Sequence, residues 1–305
     1  MIDLAIIGSG PAGLSAAVYA ARYLMDFEIY GQLPGGYVSE AHEIGNYLGF
    51  PNVTGAELTS SFLKHLESLD VRIQNYLVKG IRKENGYFSI HFDEKEEMAR
   101  NVLLCLGTQR NKLDVPGESE FLGKGVSYCA TCDAFFYRNK TVAVIGGSDS
   151  AVSAAIYLSD VASKVYLIYR KKELRAEPVW IKRAKSNSKI EIIYKTNIKS
   201  IEGENFVEKI TLDKEYEGSN ELSVNGIFIE VGSAPSTAIY KPLGVKTEDG
   251  GLIVVDSAQK TSVNGIWAAG DITTGSNKLR QVITAAAEGA IAIHDIYQTI
   301  KKSKK

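Results

Sequence analysis

Cysteine, methionine and tryptophan are scarce in this 305-residue chain, with three, three and two copies, and net charge is almost absent at -1. Each shortage excludes something. Three cysteines cannot staple a secreted scaffold, so a close pair has to be explained by chemistry or by metal. A balanced charge gives no polyelectrolyte character, which argues against nucleic acid or an anionic membrane held by bulk charge. No apolar run is long enough to cross a bilayer, and the opening MIDLAIIGSG carries no basic leader, so the expectation is a soluble cytoplasmic protein. Four scattered histidines, His42, His65, His91 and His294, stand at no ligand spacing from one another or from a cysteine. What the chain does have is 45% hydrophobic residues spread along its length, enough for two domains with full cores.

An internal repeat supplies the architecture. LAIIGSGPAGLSAAVY (4 to 19) lies over VAVIGGSDSAVSAAIY (142 to 157) without a gap, and seven of the sixteen positions are identical. Each copy reads as strand, tight turn and helix, the context in which a GxGxxG pattern binds a dinucleotide. In the first copy Gly8 permits the turn, Gly10 lets backbone approach a pyrophosphate, and Gly13 lets helix pack close to strand. The helix N-terminus then presents free N–H groups and the positive end of its dipole to the phosphates. The second copy reads Gly146-Gly147-Ser148-Asp149-Ser150, with a serine where a glycine gives the pyrophosphate room. Its next strand, KVYLIYR, runs into Arg170 and Lys171, with Arg175 beyond. Cations at that place suit a 2′-phosphate, hence NADPH; a solvated charge cluster is the alternative.

Two dinucleotide units suggest a flavin and a nicotinamide held by separate α/β domains. The first unit's second strand ends in Tyr30-Gly31 with no acid, and a Gly- and Pro-punctuated loop follows, too long for a plain turn. Late in the chain GIWAAGDITTGSNKLRQVITAAAEGAIAI reads as strand, Gly-Asp turn and small-residue helix, with Asp271 a candidate for a cofactor hydroxyl or simply a turn former. Cys105, inside NVLLCLG, reads as a buried strand residue. The remaining cysteines stand in YCATCDAFF, with no second ligand pair for a structural zinc.

Together these segments resemble the low-molecular-weight thioredoxin reductases over essentially the whole chain. The matching motifs are GSGPAG at 8 to 13, PGG at 34 to 36, NYLGFP at 46 to 51, CATCD at 129 to 133, GGSDSA, YRKKELRAE at 169 to 177, and AAGDI with RQV between 268 and 282. The resemblance implies two Rossmann-like three-layer dinucleotide-binding domains: a discontinuous FAD domain of residues 1–110 and 239–305, and a pyridine-nucleotide domain, 111–238, inserted between them. It implies a homodimer whose inserted domain rotates as a body on its two linkers. It also implies the reaction, in which electrons pass from NADPH through FAD to a Cys129–Cys132 disulfide and on to thioredoxin or a glutaredoxin-like protein. Cys132 would be the flavin-facing sulfur, Cys129 the thiol that attacks the partner, and Asp133 the acid/base, with a helix-capping Asp133 as the plain alternative.

By the same resemblance FAD would be held at Gly8 to Gly13, at Tyr30, Gly31 and Gln32, and at Gly35, Gly36, Tyr37, Asn46 and Thr108. From the C-terminal segment Gly270, Asp271, Arg280, Gln281 and Val282 would join them. NADPH would be held at Gly146 to Ser150 and at Arg170, Lys171 and Arg175. The chain departs from the family on the nicotinamide side, with Tyr169 in place of a histidine, Ser148 in place of a glycine, and Ser153-Ala154 in place of paired acids. Tyr37 stands where glutamine is usual. The alternatives are a disulfide reductase fed by another donor such as ferredoxin, a ferredoxin- or flavodoxin-NADP reductase-like flavoprotein with idle cysteines, and a nucleotide sensor without flavin chemistry. Phe135 and Phe136 read as domain core or as a docking surface.

Overall fold

The computed structural model describes residues 1–248 and 250–303. The chain opens with β1 (Ile2–Ile7), buried from Leu4 onward, and turns directly into α1 (Pro11–Arg22). Pro11 at the first helical position lacks only an N–H that would have had no intrahelical partner. β2 (Phe27–Tyr30), α2 (Gly55–Glu67), β3 (Ile73–Gln74), β4 (Gly80–Lys83), β5 (Phe88–His91) and β6 (Glu96–Leu104) follow. Thr54 starts α2 with a capping box, its Oγ accepting from the Glu57 N–H while the Glu57 carboxylate accepts from the Thr54 N–H.

At Gln109 the chain enters a second unit through β7 (Gln109–Arg110) and returns through a short strand that pairs with it. The inserted unit runs β8 (Val126–Ser127), α3 (Ala130–Asp133), β9 (Thr141–Ile145), α4 (Asp149–Val161), β10 (Lys164–Tyr169), α5 (Pro178–Lys185) and β11 (Ile190–Tyr194). β12 (Ile198–Gly203), β13 (Val207–Tyr216), β14 (Ser219–Ser223) and β15 (Gly226–Ile229) complete it, and β16 (Ser233–Ala234) leads out. The first unit then closes with β17 (Ile266–Ala268) and α6 (Val282–Ser303).

In the first unit, Met1–Gln109 with the residues from Ala234 on, the sheet order β3-β2-β1-β6-β17 is parallel throughout, and β4 and β5 form an antiparallel meander on the N-terminal half of β6. Alternate residues of β1 feed opposite layers. Leu4 and Ile6 pack with α1 and α6, while Ala5 and Ile7 pack with Phe88, Ile90 and Tyr240. The second unit, Arg110–Ser233, repeats the scheme with the parallel order β11-β10-β9-β15-β8. Val142 and Val144 face α4, and Ala143 and Ile145 face the antiparallel sheet β12-β13-β14. The division falls at 109/110 and 233/234, one and five residues before the boundaries read from the sequence. The outgoing difference is physical: Thr237 packs against Gly251 and its carbonyl accepts from the Lys241 N–H, which ties that segment to the first unit.

Candidate functional site

The first unit contains a cavity of about 520 Å³ above the C-terminal ends of β1, β2 and β6. Its floor is the β1–α1 turn, and the glycines there have separate reasons. Gly8 has φ +116, and a Cβ on it would overlap the Cys105 carbonyl. A Cβ on Gly13 would overlap the Gly8 carbonyl, so this glycine lets α1 start against the turn. Ser9 ties the following loop down, donating from Oγ to the Leu33 carbonyl (3.1 Å) and accepting at its own carbonyl from the Gly35 N–H (2.8 Å). Gly10 differs: among the described residues nothing would meet a Cβ on it within 4 Å.

These features fit a dinucleotide such as FAD. Gly10 is the N-cap of α1 with no side-chain capping bond, so the first-turn N–H groups are free for an anion. Nothing in the protein requires a glycine there, and the space its Cβ would take opens into the cavity. The Tyr30 hydroxyl, in the cavity wall, is buried with no hydrogen-bond partner among the described residues. Burial and the charges of Glu97 and Glu28 hold its pKa well above the ordinary phenol value.

Of the residues assigned to FAD from the sequence, Gly8 to Ala12, Tyr30, Gly31, Gln32, Gly36, Tyr37, Thr108, Gly270, Asp271, Arg280, Gln281 and Val282 all line this cavity. Gly13, Gly35 and Asn46 do not. Gly13 and Gly35 pack inward, Gly35 against Thr59, and the Asn46 amide reaches the rim by donating to the Gln281 side chain (3.1 Å). Asp271 is partly buried. Burial raises its pKa above the usual carboxylate range, Arg280 opposes the rise, and Glu288 adds to it. The sequence reading missed Leu33, Tyr76, Leu77, Val78, Cys105 and Gln109 in the wall. Cys105 is a free, buried thiol whose pKa burial pushes far up.

The second turn is built differently. Ser148 is the N-cap of α4 and makes no capping bond; its hydroxyl lies 3.4 Å from that of Ser150. A Cβ on Gly147 would stand 2.5 Å from the Tyr169 ring, so here the protein itself fills the glycine's space. The Tyr169 hydroxyl is buried without a partner among the described residues. The segment after β10 is strapped over the turn: the Arg175 N–H donates to the Gly147 carbonyl (2.7 Å) and the Glu177 N–H to Asp149 Oδ1 (2.6 Å). Arg170, Lys171 and Arg175 are exposed beside it, and with the uncapped α4 N-terminus they suit a phosphorylated nucleotide.

Cys129 and Cys132 form a disulfide on the same unit. The short helix α3 begins at Cys129, whose sulfur accepts from the Cys132 N–H (3.2 Å). Cys132 is exposed and Cys129 partly buried. Asp133 makes no side-chain capping bond, which removes the helix-cap reading, and its charge helps raise the Tyr137 pKa after burial. Phe135 and Phe136 are 72% and 69% exposed, so they are not core. Just ahead of the pair, Tyr128 donates its hydroxyl to Glu118 (2.5 Å), a buried carboxylate that also accepts from the Leu113 and Asp114 N–H groups. The Arg110 guanidinium donates to the Tyr128 carbonyl. Among the described residues there is no cluster able to hold a metal ion.

A family model described as pyridine nucleotide-disulphide oxidoreductase matches residues 2–289. The thioredoxin reductase of Bacillus subtilis (strain 168) is 36% identical over 303 residues, 98% of this chain and 95% of its own length. Among solved structures, Lactococcus lactis thioredoxin reductase in its FR conformation has a TM-score of 0.94 and 35% identity, covering 99% of this chain and 100% of that one. A ferredoxin-flavin thioredoxin reductase from Clostridium acetobutylicum is also 35% identical, with a TM-score of 0.55, covering 99% and 98%. With a cysteine pair beside the second of two dinucleotide turns and matches of this length, the chain belongs to the pyridine nucleotide-disulphide oxidoreductase family, among its thioredoxin reductases.

Proposed function

We propose that the protein is an FAD-dependent thioredoxin-disulfide reductase that draws electrons from NADPH, works as a homodimer and resides in the cytoplasm. The observation that carries this reading is the Cys129–Cys132 disulfide, exposed at Cys132, on the unit that holds the second dinucleotide turn. The cytoplasmic assignment is supported by the small number of cysteines, one of them buried and free. Among the described residues no helix is long and apolar enough to cross a membrane.

FAD, when bound, supplies two-electron transfer between a nicotinamide and a disulfide. The chain's own residues do the rest. Ser9 to Gly13 would present the α1 N-terminus to phosphate, Tyr30 to Gln32 would hold the ribose, Asp271 would bind the ribityl or pyrophosphate end, and Gly36, Tyr37 and Arg280 to Val282 would hold the ring end. Uptake of two electrons and two protons opens the Cys129–Cys132 bond to a dithiol. Cys129, as thiolate, attacks one sulfur of the substrate disulfide and releases the other as a thiol; Cys132 then attacks the Cys129 sulfur and releases the cysteine held in the mixed disulfide, so the substrate leaves as a dithiol while the Cys129–Cys132 bond reforms. Asp133 stands directly behind Cys132, where a carboxyl can accept the proton of the attacking thiol and return one to the leaving sulfur. The exposed Phe135 and Phe136 are the apolar surface next to that chemistry.

Anaerobic addition of NADPH is expected to bleach the flavin, and thioredoxin added afterwards to restore its colour. Reduction of thioredoxin by a Cys132→Ser variant would overturn the assignment. A second reading, in which a protein carrier such as a ferredoxin replaces NADPH, is favoured by one observation: Ser148 places a side chain at the position where Gly10 leaves space in the first unit. Bleaching by reduced ferredoxin but not by NADPH would select it and leave the disulfide chemistry intact.

A further inference from the structure

We propose that Glu288 is the positioning residue of the Asp271 turn: its buried carboxylate fixes the segment from Gly270 to Gly275 so that Asp271 faces the cavity, and thereby sets how tightly the protein holds FAD. The inference rests on reading that cavity as the FAD site.

Glu288 lies in the second turn of α6, in the run TAAAEGAIAI, where it is the only ionisable side chain, and it is 3% exposed. One oxygen, Oε2, accepts from both the Gly270 N–H (2.8 Å) and the Thr273 hydroxyl (3.0 Å). Thr273 Oγ in turn accepts from the Gly275 N–H (3.0 Å), so the beginning, middle and end of the turn all hang on this carboxylate. Gly275 is shaped to admit it, since a Cβ there would stand 2.5 Å from Glu288 Oε1. Asp271 follows immediately after the N–H that Glu288 holds.

A carboxylate buried among alanines is costly unless its oxygens are satisfied, and removing it strands the donors it satisfied. The fold alone has no need of the charge, because the single oxygen that takes both hydrogen bonds is one that an amide also offers. The charge also burdens the site. After burial, Glu288 is a further cause of the raised pKa of Asp271 and of Cys105, with Arg280 opposing it at Asp271. A turn held rigidly from beneath places Asp271 without spending loop entropy when ligand binds.

The test is FAD affinity of flavin-stripped protein, read by flavin fluorescence, in a double-mutant cycle. Glu288→Ala is expected to weaken FAD binding about 10- to 100-fold, as loss of two hydrogen bonds to a charged acceptor implies. Glu288→Gln should stay within about 3-fold, because its carbonyl oxygen keeps both bonds. In an Asp271→Asn background Glu288→Ala should add less than about 3-fold, since a residue that acts through Asp271 has little left to act on. An equal loss in both backgrounds, or wild-type affinity in folded Glu288→Ala, would overturn the proposal. Should Glu288→Ala fail to fold, Thr273→Val takes its place, with a loss that disappears in the Asp271→Asn background as support and no loss as refutation. Wild-type protein that takes up no FAD would sink the reading of the cavity itself, a result separate from every outcome of the cycle.

Discussion

Gly10→Ala separates what the fold needs from what a ligand needs. Gly10 has φ -76 and ψ -176, extended backbone that alanine adopts freely, and its Cβ would meet nothing within 4 Å among the described residues. Two small effects act on the flavin-free protein. Alanine is a poorer N-cap than glycine by about 0.5 kcal/mol. It also removes unfolded-chain entropy worth about 0.4–1 kcal/mol. They nearly cancel, so the denaturant midpoint of stripped protein should hardly move. In the loaded protein the methyl group occupies the approach to the α1 N-terminus, and overpacking of about 1–3 kcal/mol weakens FAD by roughly 5- to 150-fold. Gly13→Ala is the counter-case. Its Cβ would overlap the Gly8 carbonyl, backbone against backbone, so the stripped protein itself should lose stability at the upper end of about 1–3 kcal/mol. The assays are urea unfolding of stripped protein and fluorescence titration with FAD. Wild-type FAD affinity in Gly10→Ala, or a loss of stripped-protein stability like that of Gly13→Ala, would refute the argument.

Three further outcomes follow from other parts of the molecule. Thr54→Ala removes the α2 N-cap and should cost about 1 kcal/mol in urea unfolding, with Thr54→Ser near wild type. Asp271 has a raised pKa from burial, so its contribution to stability is full below the ordinary carboxylate pKa and is lost as pH rises through the raised value. Stripped Asp271→Asn should therefore be more stable than wild type near neutral pH, with the difference shrinking in acid; a difference that grows in acid would contradict the assignment. Tyr128→Phe removes one hydrogen bond to the buried Glu118 and should cost about 1.5 kcal/mol while leaving the Leu113 and Asp114 amides protected from hydrogen exchange. Glu118→Ala should expose both amides, because it removes the acceptor they share.

What was legible in the sequence is what local sterics dictate. IIGSGPAG and VIGGSDSA declare strand, turn and helix because Gly8 and Gly13 answer to neighbours a few residues away or to the adjoining strand. Tyr76, Leu77, Val78 and Cys105 were not legible as cavity wall, since strand order brings them to the turn and no periodicity records strand order. Phe135 and Phe136 look like core by composition alone; their exposure depends on the short helix that follows Cys129. Glu288 was hidden for the opposite reason, as one acid in a small-residue helix whose partner turn begins eighteen residues earlier.

The two copies of the repeat sharpen this into a physical distinction. Both place an N-cap residue at the same point, Gly10 before α1 and Ser148 before α4, and both caps lack a side-chain bond to the helix. In the first copy the protein leaves the glycine's space empty. In the second, the same position is Ser148, which carries a side chain, and Tyr169 packs against Gly147, the counterpart of Ser9. A glycine filled by its own protein is a folding requirement, and a glycine facing emptiness is a requirement of something that binds. By that criterion the first turn suits a closely approaching pyrophosphate. The second offers a helix N-terminus with cations beside it, which suits a ligand held more by charge than by close backbone contact. Nucleotide binding at the second turn should accordingly weaken steeply with salt, while FAD binding at the first should not; equal salt dependence at the two sites would refute the distinction.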